Sequence, residues 1–268
     1  MTWIVGHLLA VLIGVSLGLM GGGGSVLALP VLVYVMGVPI KSAIAMTLVV
    51  VGTASVLGII PHWRRVRIKT ALIFGSATMV GSFLGARLAS LPIVTGTLQM
   101  GIFVIAMLVA AVLMIRRGNR AEVVEYPLKP ACRYCWLWLL TEGIGVGMLT
   151  GLVGVGGGFA IVPALVLLGG LPMREAIATS LLILIANAIA GFAGYVGKVP
   201  LDLHLMLSFI MAAAIGTVIG SQISPHVPAK KLQSWFGYFL LAVAALVLGQ
   251  MQTQPSRSET PAIQRDAR

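Results

Sequence analysis

The chain carries one glycine-rich motif twice. Gly18-Leu19-Met20-Gly21-Gly22-Gly23-Gly24 runs into Ser25-Val26-Leu27-Ala28-Leu29-Pro30, and Gly151-Leu152-Val153-Gly154-Val155-Gly156-Gly157-Gly158 runs into Phe159-Ala160-Ile161-Val162-Pro163. The correspondence continues through Gly37 and Gly170, Pro39 and Pro172, Lys41 and Arg174, and Ala43-Ile44-Ala45 against Ala176-Ile177-Ala178. Roughly thirteen of about thirty positions agree at a constant offset of about 133, too many for chance even in an apolar chain. Each glycine in a helix interior costs about 1 kcal/mol relative to alanine, so a run of them breaks the helix. Broken apolar segments at matched places in two halves are a sequence pointer to a transporter's binding site.

The rest of the sequence agrees with a membrane setting. Hydrophobic residues make up 59% of the 268 and charged residues only 9%, and the apolar residues fall in long runs, as in a membrane protein. The runs cover 3–20, 25–37, 42–61, 70–91 and 97–115, then 136–152, 158–170, 175–196, 203–224 and 233–250. Most approach the ~20 residues that span a bilayer as a helix. The ten-residue alternation of a membrane β-barrel is absent. The expected fold is therefore an all-α polytopic membrane protein with two internal repeats of about four transmembrane helices each. The runs 25–37 and 158–170 are too short, reaching about 20 Å at 1.5 Å per residue. Each is joined by glycine to the run before it, as a glycine-broken helix or a re-entrant hairpin. Freed backbone at such a break must be buried in protein or line a wet cavity.

The net charge of +11 does not imply nucleic acid, because no basic amphipathic helix or RNA-binding aromatic motif accompanies it. The basic residues instead sit in short loops, where they set membrane orientation. The segment His62-Trp63-Arg64-Arg65-Val66-Arg67-Ile68-Lys69 and the linker with Arg116, Arg117, Arg120, Lys129 and Arg133 are the most basic, and both are expected in the cytoplasm. The expected organisation is a first membrane repeat over 1–115, a cytoplasmic linker over 116–135, a second repeat over 136–251, and a disordered polar tail over 252–268. The N-terminal run lacks the basic start and cleavage site of a signal peptide. Two topologies stay open. If each broken unit crosses once, the halves lie parallel with eight crossings. If each is a re-entrant hairpin, the halves are inverted, with three full crossings each and both termini outside. The eight-crossing arrangement places about one more basic residue inside, a slight preference.

The motif GLxGxGGGxxxxPxL, with a following proline turn and an Ala-Ile-Ala-Thr-Ser segment, resembles the TauE/SafE family, also called the sulfite exporter family. The residues carrying the resemblance are Gly151, Gly154, Gly156, Gly157, Gly158, Pro163, Pro172, Ala178, Thr179 and Ser180, with Gly18, Gly21, Gly23, Gly24, Pro30, Pro39, Ala45 and Thr47 in the first half. The resemblance implies export of sulfite, sulfoacetate or related organosulfur anions across the cytoplasmic membrane. The first half departs from it, with Met46-Thr47 where the second has Thr179-Ser180.

Physical chemistry gives the candidate residues their roles. Gly21, Gly22, Gly23, Gly24 and Ser25, and Gly154, Gly156, Gly157 and Gly158, bare the backbone to a ligand. If helices restart after them, free N–H groups and positive dipole ends face the break and suit an oxyanion. Close helix packing is the alternative use of such glycines. Pro30 and Pro163 kink the short segments. Thr47, Thr179, Ser180 and Asn187 offer uncharged hydrogen bonds to a substrate; hydroxyls in apolar helices otherwise bond their own backbone. Lys41 and Arg174 can draw anions electrostatically, and Glu142 is a candidate proton carrier inside an apolar run. Cys132 and Cys135 form a lone CxxC with neither a second pair nor a nearby histidine, so no metal or disulfide is expected.

The partners expected are the lipid bilayer and a small anion, with no nucleic acid and no cofactor. A non-transporting assembly partner is the alternative; an intramembrane enzyme built on Ser25 lacks a positioned histidine or aspartate. Replacing Gly156 or Gly157 with leucine is expected to abolish transport from a correctly inserted protein. Normal flux through such a variant contradicts a broken-helix site.

Overall fold

A computed structural model describes residues 2–89, 96–119, 135–153, 158–193 and 200–253. Gly154, Gly156, Gly157, Cys132, most of the linker and the tail beyond Thr253 lie outside these. The described residues are helical, joined by short turns. Helix α1 (Thr2–Met20) runs into a 3₁₀ turn at Gly21–Gly24, then α2 (Ser25–Pro30) and a π turn at Val31–Val35. There follow α3 (Ile40–Ile59), a 3₁₀ stretch at Ile60–Arg65, α4 (Ile68–Ala89) and α5 (Gly96–Asn119). The second half holds α6 (Cys135–Val153), α7 (Gly158–Leu167), α8 (Met173–Ala193), α9 (Leu203–Ile223) and α10 (Ala229–Thr253). Helices α5 and α10 run a few residues into the expected linker and tail. A hydropathy boundary marks the edge of an apolar run, not the last helical hydrogen bond.

Five stretches among the described residues are long and apolar enough to cross a membrane: Trp3–Val35, Ser42–Arg65, Ile68–Gly85, Met173–Ala193 and Leu203–His226. The first of these folds back on itself. Gly24 abuts the backbone of Ile13 and Leu17, and the Met36 side chain reaches Gly6. The α2 limb thus descends alongside the helix that led to it.

Packing is mostly between the two halves. Helix α1 lies along α9, α6 along α4, α3 against α8, and α5 against α10. Lipid tails are as apolar as leucine, so helices in a bilayer associate through close packing more than through hydrophobic burial. Small residues supply it here. Gly14 and Gly18 of α1 meet the backbone of Ala213, Thr217 and Ser221, while Gly216 and Gly220 of α9 meet Val11 and Val15. Rising numbers meet rising numbers, so the two helices are parallel. Gly143 and Gly147 of α6 meet Phe74, Ala77 and Thr78 of α4, and Gly81 meets Ile144. Helices α3 and α8 are antiparallel, since Gly52 meets Ala188, Gly58 meets Leu181 and Gly191 meets Leu48. Phe74, Phe209, Phe236, Ile13, Leu17 and Leu32 fill the interior, yet Leu8, Leu12, Leu72, Phe83, Leu207 and Met211 are exposed. An apolar exterior around an apolar core is what a lipid solvent selects.

The glycine contacts predict a sharp contrast. A Cβ at Gly216 runs into the Val11 carbonyl, whereas one at Gly145 meets nothing within 4 Å. Gly216→Leu should lower stability in detergent by about 1–3 kcal/mol through overpacking. Gly145→Ala should be neutral or gain up to ~1 kcal/mol. Thermal unfolding of the two variants checks this.

Candidate substrate site

The glycine turn forms because α1 cannot continue past Met20. Gly21 has φ +70°, a left-handed conformation that nearly any side chain disfavours. It also sits where a Cβ would press on Ser180 Oγ and Ile177. The next three glycines wind directly into α2, and all four are buried. Ser25 N–H is already taken by Gly22 C=O, so α2 does not start with a bare first turn. The spare donors belong to the glycines before it.

The two short limbs end alike. Met36 N–H donates to Val31 C=O at 3.1 Å and Gly169 N–H to Ala164 C=O at 2.9 Å. Val38 N–H donates to Leu32 C=O at 3.0 Å and Leu171 N–H to Leu165 C=O at 2.9 Å. Between the two bonds in each limb stands a left-handed glycine, Gly37 at φ +72° or Gly170 at φ +66°. These are the bonds of a Schellman-like stop. Pro30 and Pro163 both lie inside their helices. After Pro30 the helix widens into the π turn, a usual way to absorb a missing hydrogen bond.

The start of α2 meets the start of α7 in the protein interior. A Cβ on Gly22 would overlap the Gly158 carbonyl, and one on Gly158 would overlap Ser25 Oγ. Ser25 and Gly158 are themselves matched positions of the repeated motif. Beside this crossing lies a cavity of about 20 Å³, lined by Ser25, Thr47, Leu48, Val51, Leu184, Asn187 and Ala188. That is about the room one water needs. Ser25 Oγ donates to Gly22 C=O at 2.7 Å and Thr47 Oγ1 to Ala43 C=O at 2.7 Å. Asn187 Oδ1 is buried with no hydrogen-bond partner, which costs about 1–3 kcal/mol unless something binds there.

The cavity thus brings together Ser25, Thr47 and Asn187 from three elements. Gly21, Gly22 and Gly158 form the adjacent crossing, while Gly23 packs on Phe236 and Gly24 on α1. Ser180 lies next to Gly21 and donates to Ile177 C=O at 2.8 Å. Thr179 is fully buried but outside the cavity, and its Oγ1 accepts from Arg67 N–H at 3.2 Å. Arg174 fastens the α9–α10 connection, donating to Pro225 C=O at 3.0 Å and Val227 C=O at 3.2 Å. Lys41 stands at the matched place in the first turn of α3. Glu142 is half-buried at the start of the third turn of α6, a helix that contributes nothing to the cavity lining.

Sequence reasoning missed the apolar lining and one ion pair. Leu48, Val51, Leu184 and Ala188 carry no chemical signal, but they lie one residue or one turn from Thr47 and Asn187. Arg67 donates from Nε to Glu175 Oε2 at 2.8 Å and from Nη2 to Oε1 at 3.0 Å. Glu175 follows Pro172 as the acid in the first turn of α8, a helix-start signal that a search for substrate ligands passes over. Ser55 Oγ on α3 is also buried without a partner.

With this geometry in place, the comparisons identify the class. The family described as Sulfite exporter TauE/SafE matches residues 7–247. The chain belongs to this family of multi-pass membrane transporters. A relative in Xylella fastidiosa (strain Temecula1), described as "Probable membrane transporter protein", is 32% identical over 244 residues, covering 88% of this chain and 91% of its own. The relative YdhB of Bacillus subtilis, described in the same words, is 27% identical over 241 residues, covering 88% and 96%. One from Methanocaldococcus jannaschii, again so described, is 25% identical over 264 residues, covering 87% and 94%. No solved structure matches the chain.

Asn187 can be tested for function against stability. Asn187→Leu removes a buried polar atom that has no partner, so the unfolding midpoint should hold or rise. Transport should fall by about tenfold or more, the worth of one hydrogen bond to a charged ligand. A fall in stability with unchanged flux per folded molecule contradicts a substrate role.

Proposed function

We propose that this transporter exports a small oxyanion, sulfite or an organosulfonate such as sulfoacetate, by alternating access between two inverted repeats. The observation that carries the reading is the meeting of the two glycine-started limbs, at Gly22, Ser25 and Gly158, beside a mostly apolar cavity that Ser25, Thr47 and Asn187 supply with polar groups. The cross-pairing of α1 with α9 and of α6 with α4, and the identical ends of the two short limbs, support a two-fold relation between the halves.

In this reading each glycine-broken unit is a re-entrant hairpin. The fold-back of Met36 onto Gly6 supports it, and it replaces the eight-crossing arrangement. The basic 62–69 segment and the linker then face the cytoplasm, with both termini outside. The halves rock about the α3–α8 contact and expose the cavity to each side in turn. Substrate binding widens the present void. The anion takes backbone N–H groups of the glycine turns and the Asn187 amide, while Ser25 and Thr47 rotate their hydroxyls away from their own carbonyls.

Neutral donors suit this task. A cell-negative potential drives an anion outward by about 2.3 kcal/mol per charge per 100 mV. Export therefore needs no coupled ion, and Glu142, on a helix away from the cavity, is not required as a proton carrier.

Flux of sulfite and sulfoacetate from proteoliposomes at clamped potential tests the reading. Outward flux should rise with inside-negative potential and vanish in Gly158→Leu, whose side chain would fill the crossing. Absence of flux for both anions, from protein verified as inserted, contradicts it.

A further inference from the structure

We propose that Arg67 is a second anion-binding point, outside the cavity, where an arriving substrate exchanges with Glu175 and thereby frees the first turn of α8. The proposal rests on the anion-transport reading above. Its geometry is that of the two parallel bonds from Nε and Nη2 to the Glu175 carboxylate, at 2.8 and 3.0 Å. A guanidinium fork recognises any group that presents two oxygens in one plane face. Sulfite, sulfonates and carboxylates all present one. Glu175 is in effect an internal stand-in for the ligand.

Exposure makes the exchange feasible. The Arg67 and Glu175 side chains are 52% and 25% exposed, so a solute reaches the pair from water. A pair this open to water is screened by salt, so a competing anion can take the place of the Glu175 carboxylate. Arg64 and Arg65 on the same connection are exposed and raise the local anion concentration.

The consequence follows from what the pair holds. Glu175 and Thr179 lie one turn apart on α8, and Arg67 grips both, through its side chain and through its backbone N–H. The neighbouring Arg174 ties the α9–α10 connection to the same turn. Farther along α8 come Leu184, Asn187 and Ala188, one wall of the cavity. Loosening this turn therefore loosens the wall. The matched positions of the first half are Ser42 and Met46, which cannot form a fork. The device is one-sided, and in the proposed topology it faces the cytoplasm, the side from which an exporter loads.

The test is a titration of purified full-length protein with ethanesulfonate and with sulfite at fixed ionic strength, read as the shift in thermal unfolding midpoint. It needs no transport, so a wild type without flux would sink the export reading and leave this one to be judged. Glu175→Gln removes the competitor and should lower the half-saturating anion concentration by about two- to fivefold. Arg67→Gln removes the site and should raise it by a similar factor, with Arg67→Lys between wild type and Gln. The lysine variant decides if the glutamine variant does not fold. Both glutamine variants break the same pair, so a purely structural tie would shift them in the same direction. Shifts in one direction, or no shift in either, overturn the proposal.

Discussion

Backbone polar groups cannot be left bare in hydrocarbon, and this constraint organises the molecule. Each unsatisfied N–H or C=O there costs several kcal/mol. Two helices broken in mid-run are tolerable only if each break is covered by protein. Here the Gly21–Gly24 turn is buried against α8, α10 and the start of α7. The break that would be a liability alone is covered when the halves pack on one another.

The interlocking of the halves follows from the same need. Contacts between the halves cover the Gly21–Gly24 break, at the cost of bringing backbones very close. That cost explains where glycine is indispensable: at Gly22 and Gly158 where the limbs meet, and at Gly14 and Gly216 where α1 lies on α9. It also explains why the helices can be apolar on every side. Lipid faces and packed faces differ in residue size more than in polarity.

Much of this was legible in the sequence. The ten apolar runs correspond to ten helices among the described residues, because a helix in lipid must be apolar along its length. The repeated glycines marked the place where α1 breaks and where α2 and α7 touch, since glycine both breaks a helix and lets two backbones meet. The fold-back of α2 on α1 was not legible: a thirteen-residue run is equally short in a broken helix and in a hairpin, and the loop charges nearly balance between the two topologies. The contact of Met36 with Gly6 that reveals the fold-back is tertiary. The Arg67–Glu175 pair was hidden for a similar reason, because two charges 108 positions apart leave no local pattern. Ser25, Thr47 and Asn187, singled out by their chemistry, line one cavity, whereas Leu48, Val51, Leu184 and Ala188 join its lining only once the helices are packed.

The central claim is that the two broken units are hairpins of opposite sense that meet inside the membrane. Val38 and Leu171 stand at matched positions just beyond the left-handed glycines Gly37 and Gly170. The most direct measurement labels single cysteines, Val38→Cys and Leu171→Cys, in a background where Cys132 and Cys135 are serine, with a membrane-impermeant maleimide on intact cells. Inverted hairpins predict that position 38 labels from outside and position 171 only after the membrane is opened. Labelling of both positions from the same side would contradict the account.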